Sequence, residues 1–106
     1  MEHAVLEQAM HAVRESEQQI LRLLCQRYHL AAQLARALLA QGRRCDVEMR
    51  VSEVVSRLRA HNPGPLDDAC LARVFETVIR ATEPLLTSLH TANGGEKRVD
   101  IPKTIF

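Results

Sequence analysis

Aromatic side chains are nearly absent: one Tyr, two Phe and no Trp, 3% of the 106 residues. Hydrophobic residues nevertheless make up 46%, so Leu, Ala and Val must fill the core. That composition suits packed helices better than a sheet, whose strands favour aromatic and β-branched side chains. Glycine and proline are scarce as well, four of each, and neither occurs before Gly42. The N-terminal stretch therefore holds no strong helix breaker. Three cysteines, Cys25, Cys45 and Cys70, lie far apart without a CxxC pair. This argues against a disulfide framework and for reduced thiols used as small apolar side chains in the cytoplasm. Charge of one sign is lacking too: the net charge is +1, so no global field draws the chain to nucleic acid or to a membrane surface. No apolar run reaches the roughly eighteen residues of a membrane span, and Met1 opens no charged-then-apolar leader, so a soluble, cytoplasmic protein is expected. A Ser-His-Asp set, a phosphate-cradling glycine loop and a zinc spacing are all missing. His3, Glu7 and His11 stand at successive four-residue steps, but three side chains at a fraying helix start read as solvated. The expectation is no metal and no cofactor.

What is present is a long helical seam. From His3 to Gln41, apolar residues recur at Leu6, Met10, Val13, Ile20, Leu24, Ala31, Leu34 and Leu38, in steps of three and four close to a heptad once the polar Glu17 and Arg27 on the same line are counted. A helix of that length is about 58 Å long at 1.5 Å per residue. A compact domain of this size has a radius of gyration near ~13 Å. Such a rod overhangs its own domain by several turns. Either it is broken, or a second chain covers the excess; the expectation is a homodimer.

Further along, Gly42 suits the left-handed cap that ends this helix. Asp46 is the expected N-cap of a second helix with Val47, Val51, Val54, Val55 and Leu58 on one face. His61-Asn62-Pro63-Gly64-Pro65 is the clearest breaker in the chain. A third helix is expected to start near Leu66–Asp68, its acidic first turn complementing the helix dipole. Its stripe is Leu71, Val74, Phe75, Val78, Ile79, Leu85, Leu86 and Leu89, with Thr82 on the same line. Pro84 falls inside the stripe and either kinks the helix or starts a new one. The expected body spans residues 1–90. Residues 91–106 form a tail with a hinge around Asn93-Gly94-Gly95 and an apolar end at Val99, Ile101, Ile105 and Phe106. The tail is either a frayed terminus or an arm docked on the body or a partner.

Two polar residues interrupt the seam of the first helix, Glu17 and Arg27. A guanidinium on a buried seam must be paired, because an unpaired buried charge is very costly. Two readings are open for Arg27. One is an internal ion pair, with Glu17 as the candidate partner. The other is an arginine facing an anionic ligand, for which its planar fork is well suited. Arg50, at the edge of the second helix's apolar face, either points at the same pocket or is solvated. Thr82 is either a satisfied core hydroxyl or a ligand contact.

The run Glu17-Gln-Gln-Ile20-Leu21-Arg22-Leu23-Leu24-Cys25-Gln26-Arg27-Tyr28-His29-Leu30-Ala31 resembles the first helix of the all-helical, AroQ-type chorismate mutases. Asp46 to Arg50 looks like that family's second-helix entry, and Phe75 through Thr82 like its third helix. The resemblance covers roughly residues 5–90. It implies an all-α fold of three helices, one very long, in an intertwined homodimer. The implied activity is rearrangement of chorismate to prephenate in the shikimate pathway of aromatic amino-acid biosynthesis. That intramolecular reaction needs no nucleophile or metal; the site holds a dicarboxylate in its reactive conformer and places donors at the breaking ether oxygen. Arg27 and Arg50 match the family's catalytic arginines, and Thr82 a hydroxyl position near the substrate.

The same comparison brings departures. Met10 stands where the family has an arginine reaching in from the other chain, with Arg14 one turn on. Leu38 stands where it has a lysine beside the ether oxygen, with Arg36 two residues earlier. Val51 replaces a glutamate that binds the substrate hydroxyl, and Leu86 replaces the second ether-oxygen donor, with Thr87 as its neighbour. The expected substrate-binding set is therefore Arg14, Arg27, Arg36, Arg50 and Thr82, in a pocket of weakened activity. The alternatives are a divergent member acting on another small acid, such as isochorismate in the related pyruvate-lyase branch, or a silent member serving as a binding or regulatory partner of another protein.

Overall fold

A stretch free of Gly and Pro gives one uninterrupted helix. The computed structural model describes residues 1–43 and 46–85, and in it α1 runs Glu2–Ala40, 39 residues without a break. It ends where left-handed backbone becomes necessary. Gly42 has φ +68°; its N–H donates to the Leu39 carbonyl at 2.9 Å, and the Arg43 N–H reaches back to Leu38 at 2.8 Å. These are the two bonds of a Schellman cap.

The second helix, α2, spans Val47–Arg59, and the Asp46 carboxylate accepts from the Glu48 N–H at 2.8 Å. The third, α3, spans Asp68–Thr82, and Asp67 caps it by accepting from the Cys70 N–H at 2.8 Å. Between them the Asn62 side chain organises the breaker. Its amide donates to the Leu66 carbonyl at 2.7 Å, and its oxygen accepts from the Gly64 N–H at 2.9 Å. Each cap satisfies backbone groups that a helix end leaves unpaired. Pro84 ends α3 rather than kinking it: Glu83 takes the cap position with φ −122° and ψ 46°, and helical backbone resumes at Pro84 and Leu85. Among the described residues the fold is three helices without a strand. Leu86, Thr87, Leu89 and the tail from residue 91 lie outside the described residues.

Packing centres on α3, which lies against both α2 and α1, whereas no Cα atoms of α1 and α2 come within 8 Å of each other. Val54 and Val55 of α2, Leu71 and Ile79 of α3, and Ala31, Ala35 and Leu38 of α1 are buried. Leu34 and Leu85 pack against Ala35 and Leu38. Val74 is a correction to the expected stripe, being 44% exposed. At 100° per residue it sits about 80° round from the middle of the face that Leu71, Phe75, Val78, Ile79 and Thr82 define.

The seam of α1 divides in two. Its second half is covered by α3. Every residue from Met1 to Leu23 is exposed, including Val5, Leu6, Met10, Val13, Ile20, Leu21 and Leu23. The molecule measures 65 × 24 × 21 Å with a radius of gyration of 17.9 Å, well above the ~13 Å of a compact domain. The unbroken rod and its overhang thus follow the length argument.

Gly42→Ala tests the cap. Nothing lies within 4 Å of an added Cβ, so the cost is purely that of a left-handed backbone. We expect a loss of about 1 kcal/mol in urea unfolding; an unchanged midpoint would show that the cap is not strained.

Candidate active site

The polar residues singled out on α1 and α2 meet at the end of α3. Arg27 enters from the covered half of α1. Its Nη1 donates to Thr82 Oγ1 at 2.8 Å and to Glu83 Oε2 at 2.7 Å. Arg50 enters from α2 and donates from Nε to both Glu83 oxygens, at 3.1 and 3.2 Å. The Arg50 Nη1 also donates to Glu53 Oε1 at 3.2 Å, and Glu53 accepts in turn from Arg57 Nε at 2.8 Å. The Thr82 hydroxyl donates to the Val78 carbonyl at 2.7 Å, so it is satisfied within its helix and serves Arg27 as an acceptor.

Burial makes this cluster unlike a surface network. The Glu83 side chain is 1% exposed and that of Arg50 10%, while Arg27 keeps 26%. A carboxylate taken that far out of water is tolerable because charge-assisted bonds reach both of its oxygens. Toward the rim, the hydrogen bond from Arg57, joined by the positive charges of Arg57 and Arg50, holds the Glu53 carboxyl below its ordinary value of 4.5 against the upward pull of burial.

Beside the cluster opens a cavity of about 530 Å³, walled by Tyr28, Ala32, Arg36, Thr82, Glu83 and Leu85, among others. That volume is within the usual range for a small-molecule site. Thr82 and Glu83 belong both to its wall and to the arginine cluster.

Arg27, Arg50 and Thr82 are therefore brought together, and Arg36 joins them as an exposed residue on the cavity wall. Arg14 is not brought in by its own chain. It lies on the bare half of α1 beside Met10, Val13 and Glu17, thirteen residues and about 20 Å along the axis from Arg27. The suggested Arg27–Glu17 pair is corrected for the same reason: ten residues place the two about 15 Å apart along one rod, and the internal partner is Glu83. Leu38, at the family's lysine position, is buried against Leu85, and Val51 is half-buried on α2. His3 lies 3.6 Å from Glu7, and His11 lies 4.0 Å from Glu15 instead, all exposed. No group of three metal-ligating side chains gathers among the described residues.

Sequence reasoning missed Glu83. A glutamate before a proline at a helix end looks like a solvated cap residue. The available signal was Arg27, which required an acid from another helix.

A long helix and two shorter ones, with arginines from the first two converging beside a hydroxyl of the third, define an all-helical fold with a buried arginine–carboxylate cluster. The family model for chorismate mutase type II matches residues 4–85, and the chain belongs to that family. No curated protein and no solved structure matches the chain. No described helix is long and apolar enough to cross a membrane.

Removing one member of a buried ion pair strands the other charge. Arg50→Ala should cost about 3–5 kcal/mol in urea unfolding. Arg27→Ala should cost clearly less, because its guanidinium is partly solvated. Equal losses, or none at Arg50, would show that Glu83 is not held as described.

Proposed function

We propose that the protein is a chorismate mutase of weakened activity, binding chorismate or a closely related small dicarboxylate beside Arg27 and Arg50 and rearranging it without a metal or cofactor. The observation that carries this reading is the convergence of those two arginines on one carboxylate, next to Thr82 and a cavity of about 530 Å³. Two guanidinium groups from separate helices reach a carboxylate that itself lines the cavity, so an acid entering there meets Glu83 with the arginines behind it. Family membership supplies the reaction class. The rearrangement asks for a held conformer and for hydrogen-bond donors at the departing ether oxygen. Arg36 is the arginine on the cavity wall, and in this reading it serves there. Leu38 cannot serve, being apolar and packed in the core.

Weak activity follows from those replacements. One preorganised donor typically contributes about a hundred- to a thousand-fold in rate. Leu38 removes one, and Leu86, outside the described residues, removes another by the family comparison. The same burial of Leu38 favours a second reading, in which the pocket binds an acid without turning it over and the chain regulates or completes another protein.

The active species in this proposal is a homodimer in the cytosol. Bare apolar residues along one face of α1 support it: Leu6, Met10, Val13 and Ile20 continue the line that α3 covers further on. Monomers rarely leave so extended an apolar strip in water. A second α1 laid along it would also carry Arg14 toward a site that its own chain does not reach. Exposed Cys25 and half-buried Cys70 suit a reducing compartment.

Two measurements test the proposal. Incubation with chorismate should give prephenate faster than buffer alone, and Arg27→Ala should abolish the difference; a rate equal to buffer overturns the mutase reading. Light scattering at micromolar concentration should give twice the chain mass, and Leu6→Glu with Met10→Glu should shift it toward the single chain. A monomeric unaltered protein would remove the dimer.

A further inference from the structure

Glu83 is the least exposed charged residue among those described, and the resemblance to the family gave it no role. It faces two ways. Its oxygens take the Nη1 of Arg27 at 2.7 Å and the Nε of Arg50 at 3.1 and 3.2 Å. It also forms part of the cavity wall, with Thr82 and Arg36. A carboxylate that already accepts the N–H bonds of an arginine pair competes directly with any carboxylate arriving from the cavity. The newcomer would meet the like charge of Glu83, whose side chain is 1% exposed and so is screened less than a surface carboxylate.

We infer that Glu83 is a built-in carboxylate ligand of the Arg27–Arg50 pair, competing with the acid that enters the cavity and so setting which acids the site accepts. The inference rests on the reading of this site as acid-binding. Glu83 keeps both guanidinium groups oriented while the site is empty, which spares a bound acid the cost of ordering them. Arg36 gives the displaced carboxylate a second cation on the same wall. An acid with one carboxylate merely exchanges places with Glu83 and gains little. An acid with two carboxylates exchanges one and gains contacts with the other, so the competition favours dicarboxylates.

Charge, rather than shape, is the feature to remove. Glu83→Gln keeps the side-chain volume and one acceptor oxygen while removing the competing negative charge. In calorimetric titration of the full chain with prephenate, E83Q should bind at least about tenfold tighter than the unaltered protein. Adding Arg27→Ala to E83Q should remove that gain. If the unaltered chain binds prephenate as tightly as E83Q while Arg27→Ala weakens both, Glu83 does not compete, although the acid-binding site stands. If folded E83Q and the unaltered chain both fail to bind, the site reading falls and the inference with it. A second measurement does not depend on E83Q folding. Across a prephenate titration of the unaltered chain, the Arg50 Nε–H resonance should move as its acceptor changes. Saturable binding that leaves this resonance in place would overturn the inference.

Discussion

A carboxylate cannot stay charged in a protein interior unless cations are brought to it. At the end of α3 this requirement organises the molecule. Glu83 draws Arg27 from α1 and Arg50 from α2 onto one pair of oxygens. The backbones of α1 and α2 do not approach each other, so this side-chain junction links the two helices where α3 merely separates them. An apolar contact at the same place would tolerate sliding. A charged junction with bonds of 2.7 to 3.2 Å fixes the position of each helix relative to the end of α3, because any displacement leaves a buried charge short of partners. The cavity wall inherits that rigidity through Thr82 and Glu83.

Much of the fold could be read from local patterns. Gly42, Asp46 and the Asn62–Pro65 breaker act through backbone geometry and short hydrogen bonds, and their effects stay within a few residues. The valine face of α2 is equally local. Val74 failed because a stripe drawn from apolar identity alone ran wider than the face α3 actually buries. The site was legible in part. Arg27 stood out because a cation on a greasy seam demands a partner. Its partner did not stand out, because helical periodicity ranks residues within one helix and says nothing about which helix faces which. Glu17 shared the seam and so drew attention, yet a straight rod cannot bring two of its own residues together across ten positions. Pro84 hid Glu83 further. By ending α3 at Thr82, it turned a position that reads as a surface cap into the centre of the charge cluster.

The two halves of α1 carry the same apolar pattern and meet different fates. Ala31, Ala35 and Leu38 are covered by α3, whereas Leu6, Met10 and Val13 are bare. Periodicity cannot tell burial within a chain from burial between chains, since both require one apolar face. Length can. A rod of 39 residues exceeds what two helices of 13 and 15 residues are able to cover. Among the described residues the excess is left bare, and in the proposed dimer the continuity of the seam suits a surface of the same kind. In the proposed dimer, the overhang that makes a single chain look incomplete becomes the element that completes its neighbour.

Electrostatic balance bears on the choice between catalysis and binding. Among the described residues at the junction, the charges of Arg27 and Arg50 are offset by those of Glu83 and Glu53, and Arg57 adds one positive charge at the rim. In the proposed site a dianion must share these arginines with Glu83 and Glu53. The cation that decides its affinity must come from elsewhere on the cavity, and Arg36 on the wall is one source. Arg14 of a second copy is another in the proposed dimer. Rearrangement needs more than affinity. The same cations must stand beside the breaking ether bond, where Leu38 supplies nothing, and they must do so before the charge develops there. A long, solvated arginine such as Arg36 is less preorganised than a lysine fixed in a packed wall, because its rotamers must be ordered in each encounter. In the proposed function this favours holding an acid over transforming it quickly. The rate of any rearrangement should depend more on how firmly Arg36 is ordered than on the arginines that grip the carboxylate.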